Sequence, residues 1–276
     1  MAVGIVDAWV QFPNWEFLLD PMFATLRRWP THWRGLADAN RDASAEELLA
    51  SMQNGDLSKV MANAWWGPRG PMITNESVAD VVRQYPDRVV GIASVDIARP
   101  MDAVRELRRC VKNYGFKGLR LLPWLWGLPP DDRRYYPLYS ECVELGIAFC
   151  SQVGHSGPLF PSEPGRPIPY LDNVANDFPE LTIVAGHIGF PWVSEMISLC
   201  LKYPNVYVDT SAYKVTRFPR EFVDFMRGPG RTKVLFASDY PVLKPSDCLA
   251  ELETLGLSEE AQALFLGGNA TRAFRL

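Results

Sequence analysis

The chain has 276 residues, of which 47% are hydrophobic and 22% charged, a composition typical of soluble globular proteins. Its net charge of −4 and pI of about 5.5 provide no basic field for nucleic acid or an anionic membrane. The apolar stretches are too short to span a bilayer, and no positively charged region precedes the first of them, so we expect neither a membrane span nor a signal peptide.

The cysteines indicate the compartment. They are odd in number, scattered, and never spaced as Cys-x-x-Cys. This pattern is typical of buried thiols in a reducing cytoplasm and not of a disulfide framework or a zinc knuckle. The five positions are Cys110, Cys142, Cys150, Cys200 and Cys248.

The stretch IVDAWVQFP, residues 5–13, reads as a buried strand that ends in a turn. Because side chains alternate along a strand, Asp7, Trp9 and Gln11 should point the same way. An indole and an amide beside an acid make an unusual core face, which suggests that this strand contributes to a site.

After about residue 57, short apolar runs alternate with helical patterns. Strands are predicted at 58–65, 88–96, 116–122, 147–153, 181–186, 205–209 and 233–237. Helices are predicted at 75–86, 100–115, 136–146, 170–179, 191–204 and 220–228. With the opening strand this gives eight strands, each followed by a helix, and near-continuous apolar strands are typical of parallel sheets buried on both faces.

The spacing predicts a (β/α)8 TIM barrel that occupies residues 1–276 as a single domain. An open doubly wound sheet is the alternative, but no G-x-G-x-x-G follows the first strand. Residues 12–57 form an irregular insertion after strand one, with a capping-box helix signalled by Ser44 and Glu47. We interpret this insertion as a lid over the barrel mouth.

In this fold the working residues follow the carboxyl ends of strands. His155 follows strand five, His187 follows strand six and Asp239 follows strand eight, so all three should converge on one mouth. Glycines flank both histidines and would let backbone approach a ligand closely. His32, which lies in the insertion, is expected to be a packing residue.

The segments VGHSG, LTIVAGHIGFPW, NVYVDTS, VLFASDYP and GNATRAF resemble the amidohydrolase superfamily, in particular the branch that includes aminocarboxymuconate semialdehyde decarboxylase. The resemblance covers most of the chain and is weakest over 12–57. It independently implies a TIM barrel and an enzyme that is a hydrolase or a carboxy-lyase.

Members of this family usually end strand one with Asp-x-His-x-His, whose imidazoles bind a divalent metal. Here Trp9 and Gln11 occupy those positions, and neither is a good metal ligand. The resemblance implies ligand or acid–base roles for His155, His187 and Asp239. These three would just suffice for a single divalent ion such as zinc, although the site as a whole looks depleted of ligands.

Aromatic and basic residues crowd the predicted mouth. We expect Arg120 to face the barrel interior, where it could grip a carboxylate, with tryptophans stacking on a ring. The alternative is that the tryptophans only pack the insertion onto the barrel. The candidate substrate-binding residues are Trp9, Gln11, Trp65, Arg69, Arg120, Trp124 and Tyr213.

These residues favour a planar, anionic small molecule as substrate. The main hypothesis is hydrolysis of a lactone, ester, amide or activated carbon–carbon bond in a cyclic or aromatic acid. In that hypothesis Asp239 acts as base and Arg120 stabilises the oxyanion. Decarboxylation of an unsaturated or aromatic acid is the alternative, and an inactive barrel that only binds a small acid is a third. A homodimer stays open.

Overall fold

The computed structural model describes residues 4–51 and 57–276. Its main sheet has eight strands: β1 (Ile5–Val10), β2 (Leu57–Asn63), β5 (Val89–Ala93), β6 (Gly118–Leu121), β7 (Ala148–Gln152), β8 (Ile183–Gly186), β9 (Val206–Asp209) and β10 (Val234–Leu235). They are parallel and lie in the order β1-β2-β5-β6-β7-β8-β9-β10. Two further strands, β3 (Trp65–Gly67) and β4 (Gly70–Ile73), form an antiparallel hairpin beside the barrel.

The first and last strands of this sheet approach each other and close the barrel. The backbone N–H of Ala8 donates to Phe236 O at 2.9 Å, and the N–H of Asp239 donates to Trp9 O at 3.0 Å. Val10 and Tyr240 form a parallel bridge just beyond the strand ends. The predicted (β/α)8 barrel is therefore confirmed, and its closure brings Asp239 beside the residues that end β1.

Helices follow the successive strands along the chain. They are α1 (Trp15–Leu19), α2 (His32–Asp38), α3 (Ala45–Ser51), α4 (Asn75–Gln84), α5 (Pro100–Tyr114), α6 (Pro123–Trp126), α7 (Tyr136–Leu145), α8 (Asp172–Asp177), α9 (Val193–Lys202), α10 (Arg220–Arg227), α11 (Pro245–Leu249), α12 (Glu259–Ala263) and α13 (Asn269–Phe274). Among the helices that the structure describes, none is long and apolar enough to cross a membrane.

Local sequence signals explain where several helices begin and end. Helix α5 starts with Pro100 in its first turn and ends at Gly115, whose φ of 70° lies in the left-handed region that glycine adopts without strain. Helix α3 begins after Ser44, whose Oγ accepts from the N–H of Glu47 at 3.3 Å, as the capping signal predicts. The last residues of the predicted insertion, 52–56, lie outside the described residues.

The structure differs from the sequence prediction after strand two. The apolar pattern predicts a single strand over 58–65, but β2 ends at Asn63 and Trp65 begins the hairpin. The turn GPRG reverses the chain because Gly70, with φ 110°, adopts a conformation that other residues avoid. This hairpin carries Trp65 to the barrel mouth and Arg69 to the surface.

The barrel interior and the helix–sheet layer are filled by apolar side chains, as expected for a parallel sheet covered on both faces. The five cysteines belong to this core as free thiols, and burial raises the pKa of Cys150 to about 11. They are packing residues, which agrees with the expectation from their spacing.

Candidate active site

A cavity of about 340 Å³ opens at the carboxyl ends of the barrel strands. Eight of the predicted site residues line it: Trp9, Gln11, Trp65, Trp124, His155, His187, Tyr213 and Asp239. Further lining residues escape prediction from the sequence: Phe23, Thr25, Leu26, Trp29, Thr31 and Trp33 from the segment between β1 and β2, and Gln152 at the end of β7.

His187 follows β8 with φ of 70°, in the left-handed region that non-glycine residues rarely occupy. Ser211 Oγ lies 2.6 Å from His187 Nδ1, and the same hydroxyl donates to Asp209. Because the Ser211 hydroxyl donates its hydrogen to Asp209, its oxygen accepts a hydrogen bond from the Nδ1–H of His187. The imidazole therefore presents Nε2 to the cavity as a hydrogen-bond acceptor.

The surroundings of His187 keep its imidazole neutral. Burial, followed by the charges of Arg120 and His155, lowers the pKa of His187 to about 3. A neutral imidazole with a free Nε2 accepts protons or hydrogen bonds and donates none from that atom. His187 Nε2 is thus suited to accept a hydrogen bond from a hydroxyl group of a ligand.

Asp239 follows β10, also with a left-handed φ, of 60°. Gln11 Nε2 donates to Asp239 Oδ1 at 2.9 Å, and the other carboxyl oxygen lies 3.8 Å from His187 Nε2. Burial raises the pKa of Asp239 to about 8, although the hydrogen bond from Gln11 and the charge of Arg120 act in the opposite direction. The carboxyl group therefore carries a proton at neutral pH.

The paired left-handed conformations at His187 and Asp239 are an independent sign of a site. Such conformations cost on the order of 1–3 kcal/mol each and persist where the surrounding structure imposes them. Here they turn both side chains from the strand ends into one cavity. The 3.8 Å separation is too long for a direct hydrogen bond and leaves room for a bridging ligand atom.

Trp9 and Gln11 point to the same side of β1, as the strand period predicts. Trp9 Nε1 donates to Gln11 Oε1 at 2.6 Å, which fixes the amide so that its NH₂ group faces Asp239. The indole stacks on the His187 ring with centroids 4.7 Å apart and planes inclined by 15°. A Cβ on Gly186 would lie 2.4 Å from Trp9 Cζ3, so the indole fits only because that residue is glycine.

Asp7, on the same strand, ties β1 to β10. Its carboxyl group accepts from the Ser238 N–H at 3.0 Å, from Ser238 Oγ at 2.5 Å and from the Trp9 N–H at 3.2 Å. Burial raises the pKa of Asp7 to about 7 despite these donors. Asp7 does not line the cavity. Its hydrogen bonds to the Trp9 N–H and to Ser238, which precedes Asp239, hold these two cavity residues in place.

Arg120 faces the barrel interior but does not line the cavity, so the structure gives no support to its predicted contact with the substrate. The Trp9 ring covers it: Arg120 Cζ lies 3.5 Å from the ring centroid, and the side chain is 1% exposed. Its Nη2 donates to Ala8 O at 3.3 Å and lies 3.9 Å from Asp209 Oδ2. A guanidinium in this position acts on the cavity through its charge and not through a hydrogen bond to a ligand.

Arg69 also lies away from the cavity, so the structure gives no support to its predicted contact with the substrate. It occupies the turn of the β3–β4 hairpin, is 76% exposed, and pairs with Asp20 at 3.1 Å. Its exposure follows from the reversal of the chain at the hairpin, which the sequence pattern does not indicate. No lysine or arginine among the described residues lines the cavity.

The cavity wall opposite Asp239 is aromatic and neutral. Trp124 Nε1 donates to Gln152 Oε1 at 2.6 Å, and Trp124 packs edge-on against Trp65 with centroids 6.1 Å apart. His155 lies at the rim, where its Nδ1 is 2.9 Å from Ser156 O and burial lowers its pKa. Its Nε2 is left as the acceptor atom.

The metal that the family resemblance implies does not fit this set of donors. The Gln11 amide turns its NH₂ group toward Asp239 and its oxygen toward Trp9, so it offers no free ligand atom to an ion at this point. Within residues 4–51 and 57–276, no group of three His, Cys, Asp or Glu side chains is placed to hold a metal ion.

The sequence matches a protein-family model described as Amidohydrolase over residues 6–276. Among curated proteins it is 25% identical over 322 residues to the gamma-resorcylate decarboxylase of Polaromonas sp. (strain JS666 / ATCC BAA-500), covering 96% of each chain. It is 23% identical over 296 residues to the 2-amino-3-carboxymuconate-6-semialdehyde decarboxylase of Dictyostelium discoideum, covering 85% of this chain and 74% of the relative.

Solved structures show the same fold. An uncharacterized TIM-barrel protein from Bordetella bronchiseptica superposes with a TM-score of 0.84 at 24% identity, covering 99% of both chains. A dihydroxybenzoic acid decarboxylase from Polaromonas sp. JS666, solved with manganese and the inhibitor 2-nitroresorcinol, gives 0.71 at 20% identity, covering 99% of this chain and 97% of the other. At these identities the likeness extends to the fold alone.

Proposed function

The chain belongs to the amidohydrolase family, in a branch of hydrolases and carboxy-lyases, and on that premise we propose that it is a decarboxylase of a planar hydroxylated aromatic or unsaturated carboxylic acid. The observation that carries the proposal is the pairing of Asp239 with His187 in an aromatic cavity that is not lined by lysine or arginine in the described part of the chain. The two curated relatives described above, which are named as decarboxylases, support the same reaction.

Decarboxylation requires that a proton replace the departing carboxylate carbon. In the proposed reaction the protonated carboxyl group of Asp239 donates its proton to the ring or chain carbon that bears the substrate carboxylate. The new C–H bond forms, the C–C bond breaks, and its electron pair returns to the unsaturated system as CO₂ leaves. Asp239 then regains a proton from solvent, which balances the overall uptake of one proton per CO₂.

His187 supports this transfer from the other side of the gap. Its neutral Nε2 accepts a hydrogen bond from a substrate hydroxyl group and so increases electron density on the carbon that receives the proton. The hydroxyl group also fixes the ring so that this carbon faces Asp239. A substrate without a hydroxyl group beside the carboxylate should therefore react more slowly.

The absence of a cation from the described cavity wall favours loss of CO₂. A carboxylate that enters an aromatic cavity loses hydration without gaining an ion pair, whereas the transition state spreads its charge into the ring. The tryptophans at 65 and 124 offer ring faces and edges to a planar substrate. We propose that the described part of the 12–57 insertion, which supplies lining residues to the cavity, acts as a lid that keeps water from this step.

Hydrolysis of a lactone or ester is the second candidate, favoured by the free Nε2 of His187, which could take a proton from water. It requires Asp239 to be ionised or to remain a bystander. Isotope labels from the solvent distinguish the two reactions. A hydrolase transfers one ¹⁸O from labelled water to its product, whereas a decarboxylase releases CO₂ and takes one solvent hydrogen onto carbon.

The test is a panel of hydroxybenzoic acids beginning with gamma-resorcylate, assayed for CO₂ release and for the decarboxylated product. Benzoates that lack the hydroxyl group are the matched comparison. We expect CO₂ release from hydroxylated members and loss of that activity in Asp239→Asn, with Asp224→Asn, on the exposed face of α10, as control. Turnover of lactones with ¹⁸O uptake and no CO₂ from any acid would instead establish the hydrolase.

A further inference from the structure

Arg120 lies in an unusual position for a cationic side chain. It is fully buried, its guanidinium lies 3.5 Å from the centroid of the Trp9 ring, and the carboxylate oxygen Oδ2 of Asp209 is 3.9 Å away. A cation on an aromatic face at this distance is a favourable interaction, and it is stronger where water is excluded. Trp9 and Arg120 are thus one packed unit beneath the cavity.

Arg120 also lies among buried acidic residues. Asp7 and Asp209 are 0% exposed, and Asp239, which lines the cavity, is 7% exposed. In the described part of the chain, Arg120 is the one lysine or arginine that is fully buried. A buried carboxyl group is kept neutral by a bound proton or ionises beside a positive partner, which a divalent ion or a guanidinium can supply.

The strand positions connect this unit with metal binding. Trp9 and Gln11 occupy the two places where the resembled family has metal-binding imidazoles, and Trp9 packs on His187 while Gln11 bonds to Asp239. A fixed positive charge behind the indole would repel a cation placed between His187 and Asp239. Two features therefore disfavour metal binding between His187 and Asp239. Trp9 and Gln11 supply no metal ligands, and the Arg120 guanidinium already places a positive charge nearby.

We propose that Arg120, held against Trp9, is the built-in cation of this site and that its charge excludes a divalent metal from the space between His187 and Asp239. Arg120 is a positioning residue that does not touch the substrate. It packs against the Trp9 indole, and its positive charge changes the electrostatic potential in the cavity. The proposal does not rest on decarboxylation, because it concerns the charge of the site whichever bond is broken.

The test is metal binding and needs no substrate. Wild type, Trp9→His/Gln11→His, and Trp9→His/Gln11→His/Arg120→Met are freed of metal with a chelator and titrated with Zn²⁺ and with Mn²⁺ by calorimetry, with metal content per chain measured after dialysis. We expect no stoichiometric binding by wild type and weak binding by the double variant. The triple variant should bind one ion per chain at least 100-fold more tightly than the double variant.

Controls separate this site from adventitious binding. Adding Asp239→Asn to the triple variant should abolish the tight binding. Thermal unfolding verifies that each variant is folded, and Arg120→Gln replaces Arg120→Met if the methionine variant is not. Stoichiometric binding by wild type that Asp239→Asn removes would overturn the proposal. So would equal affinities of the double and triple variants, or failure of both folded variants to bind either metal.

Discussion

The floor and the roof of the cavity are built differently. The floor consists of Trp9, Gln11, His187 and Asp239, which lie at strand ends. Hydrogen bonds join Trp9 to Gln11 and Gln11 to Asp239, and the Trp9 ring stacks on the His187 ring. The roof consists of the lining residues from the segment between β1 and β2: Phe23, Thr25, Leu26, Trp29, Thr31 and Trp33. Four titratable residues line the described cavity wall: the floor carries His187 and Asp239, the loops after β7 and β9 carry His155 and Tyr213, and the roof carries none.

This difference between floor and roof indicates which residues carry out the reaction and which select the substrate. Floor side chains have one conformation imposed by the barrel, including the left-handed backbone at His187 and Asp239. Roof side chains rest on short helices and 3₁₀ turns, and Trp29 is 65% exposed. Changes in the floor should therefore reduce the rate of the reaction, and changes in the roof should alter the affinity for substrate.

The largest effect is expected for Asp239→Asn, which removes the proposed proton donor and nearly preserves its shape. We expect kcat to fall by roughly 10³-fold with a smaller change in KM, since general acid catalysis contributes on that order. Steady-state kinetics with the substrate found in the panel measure this. A variant that retains wild-type kcat would show that the proton comes from elsewhere.

His187→Gln should have the next largest effect. The amide keeps a polar side chain but loses the oriented imidazole acceptor, so we expect roughly 10²-fold lower kcat for hydroxylated substrates. The drop should be much smaller for substrates without the hydroxyl group, because they do not use Nε2. Equal losses for both classes would show that His187 acts through packing with Trp9.

The pH profile tests the floor without mutation. Asp239 must be protonated, and burial raises its pKa to about 8, so kcat/KM should fall about tenfold per pH unit above that value. His187 must be neutral and has a pKa lowered to about 3, so activity should hold down to the acid limit of folding. Activity that rises through pH 8 would indicate a base and favour hydrolysis.

The roof is tested by Trp29→Ala. This exposed indole contributes to the cavity wall, and its loss should raise KM by about 3- to 10-fold while kcat stays within about twofold, which corresponds to about 1 kcal/mol of aromatic contact. Trp15→Ala is the matched control, since Trp15 is 39% exposed and does not line the cavity. A selective loss of kcat would place part of the chemistry in the roof.

The last prediction concerns stability and not catalysis. The pKa of Asp239 is higher in the folded chain than its ordinary value of 3.8, so its contribution to stability is complete below that value and is lost as pH rises through about 8. The difference in unfolding free energy between wild type and Asp239→Asn should decline by about 1.4 kcal/mol per pH unit between pH 5 and 7. Denaturant titrations measure this, and parallel profiles would contradict it.

The floor can be predicted from sequence far better than the roof. Apolar runs and their spacing reveal the barrel strands, and the barrel gathers the residues after each strand at one mouth, which brings His155, His187 and Asp239 to one cavity. The strand period likewise predicts the shared face of Trp9 and Gln11. These predictions succeed because they depend on strand geometry, which the local pattern of apolar and polar residues indicates.

Arg120 and Arg69 show the limit of prediction from strand patterns. The sequence pattern assigns Arg120 to the interior, but its depth depends on how side chains layer inside the barrel, and the Trp9 indole takes the position nearest the cavity. Arg69 follows a strand end in sequence, yet a hairpin turns it outward. Roof residues lie in irregular structure whose path depends on tertiary contacts, such as those of Phe23 with Trp33 and Trp65.

The most direct test of the central claim, that Asp239 delivers a proton to carbon, is decarboxylation in D₂O followed by NMR of the product. Wild type is expected to release CO₂ and place one deuterium on the vacated carbon, while Asp239→Asn does so at a rate lower by roughly 10³-fold. Conversion of substrate without CO₂ release and without deuterium on that carbon would contradict the account.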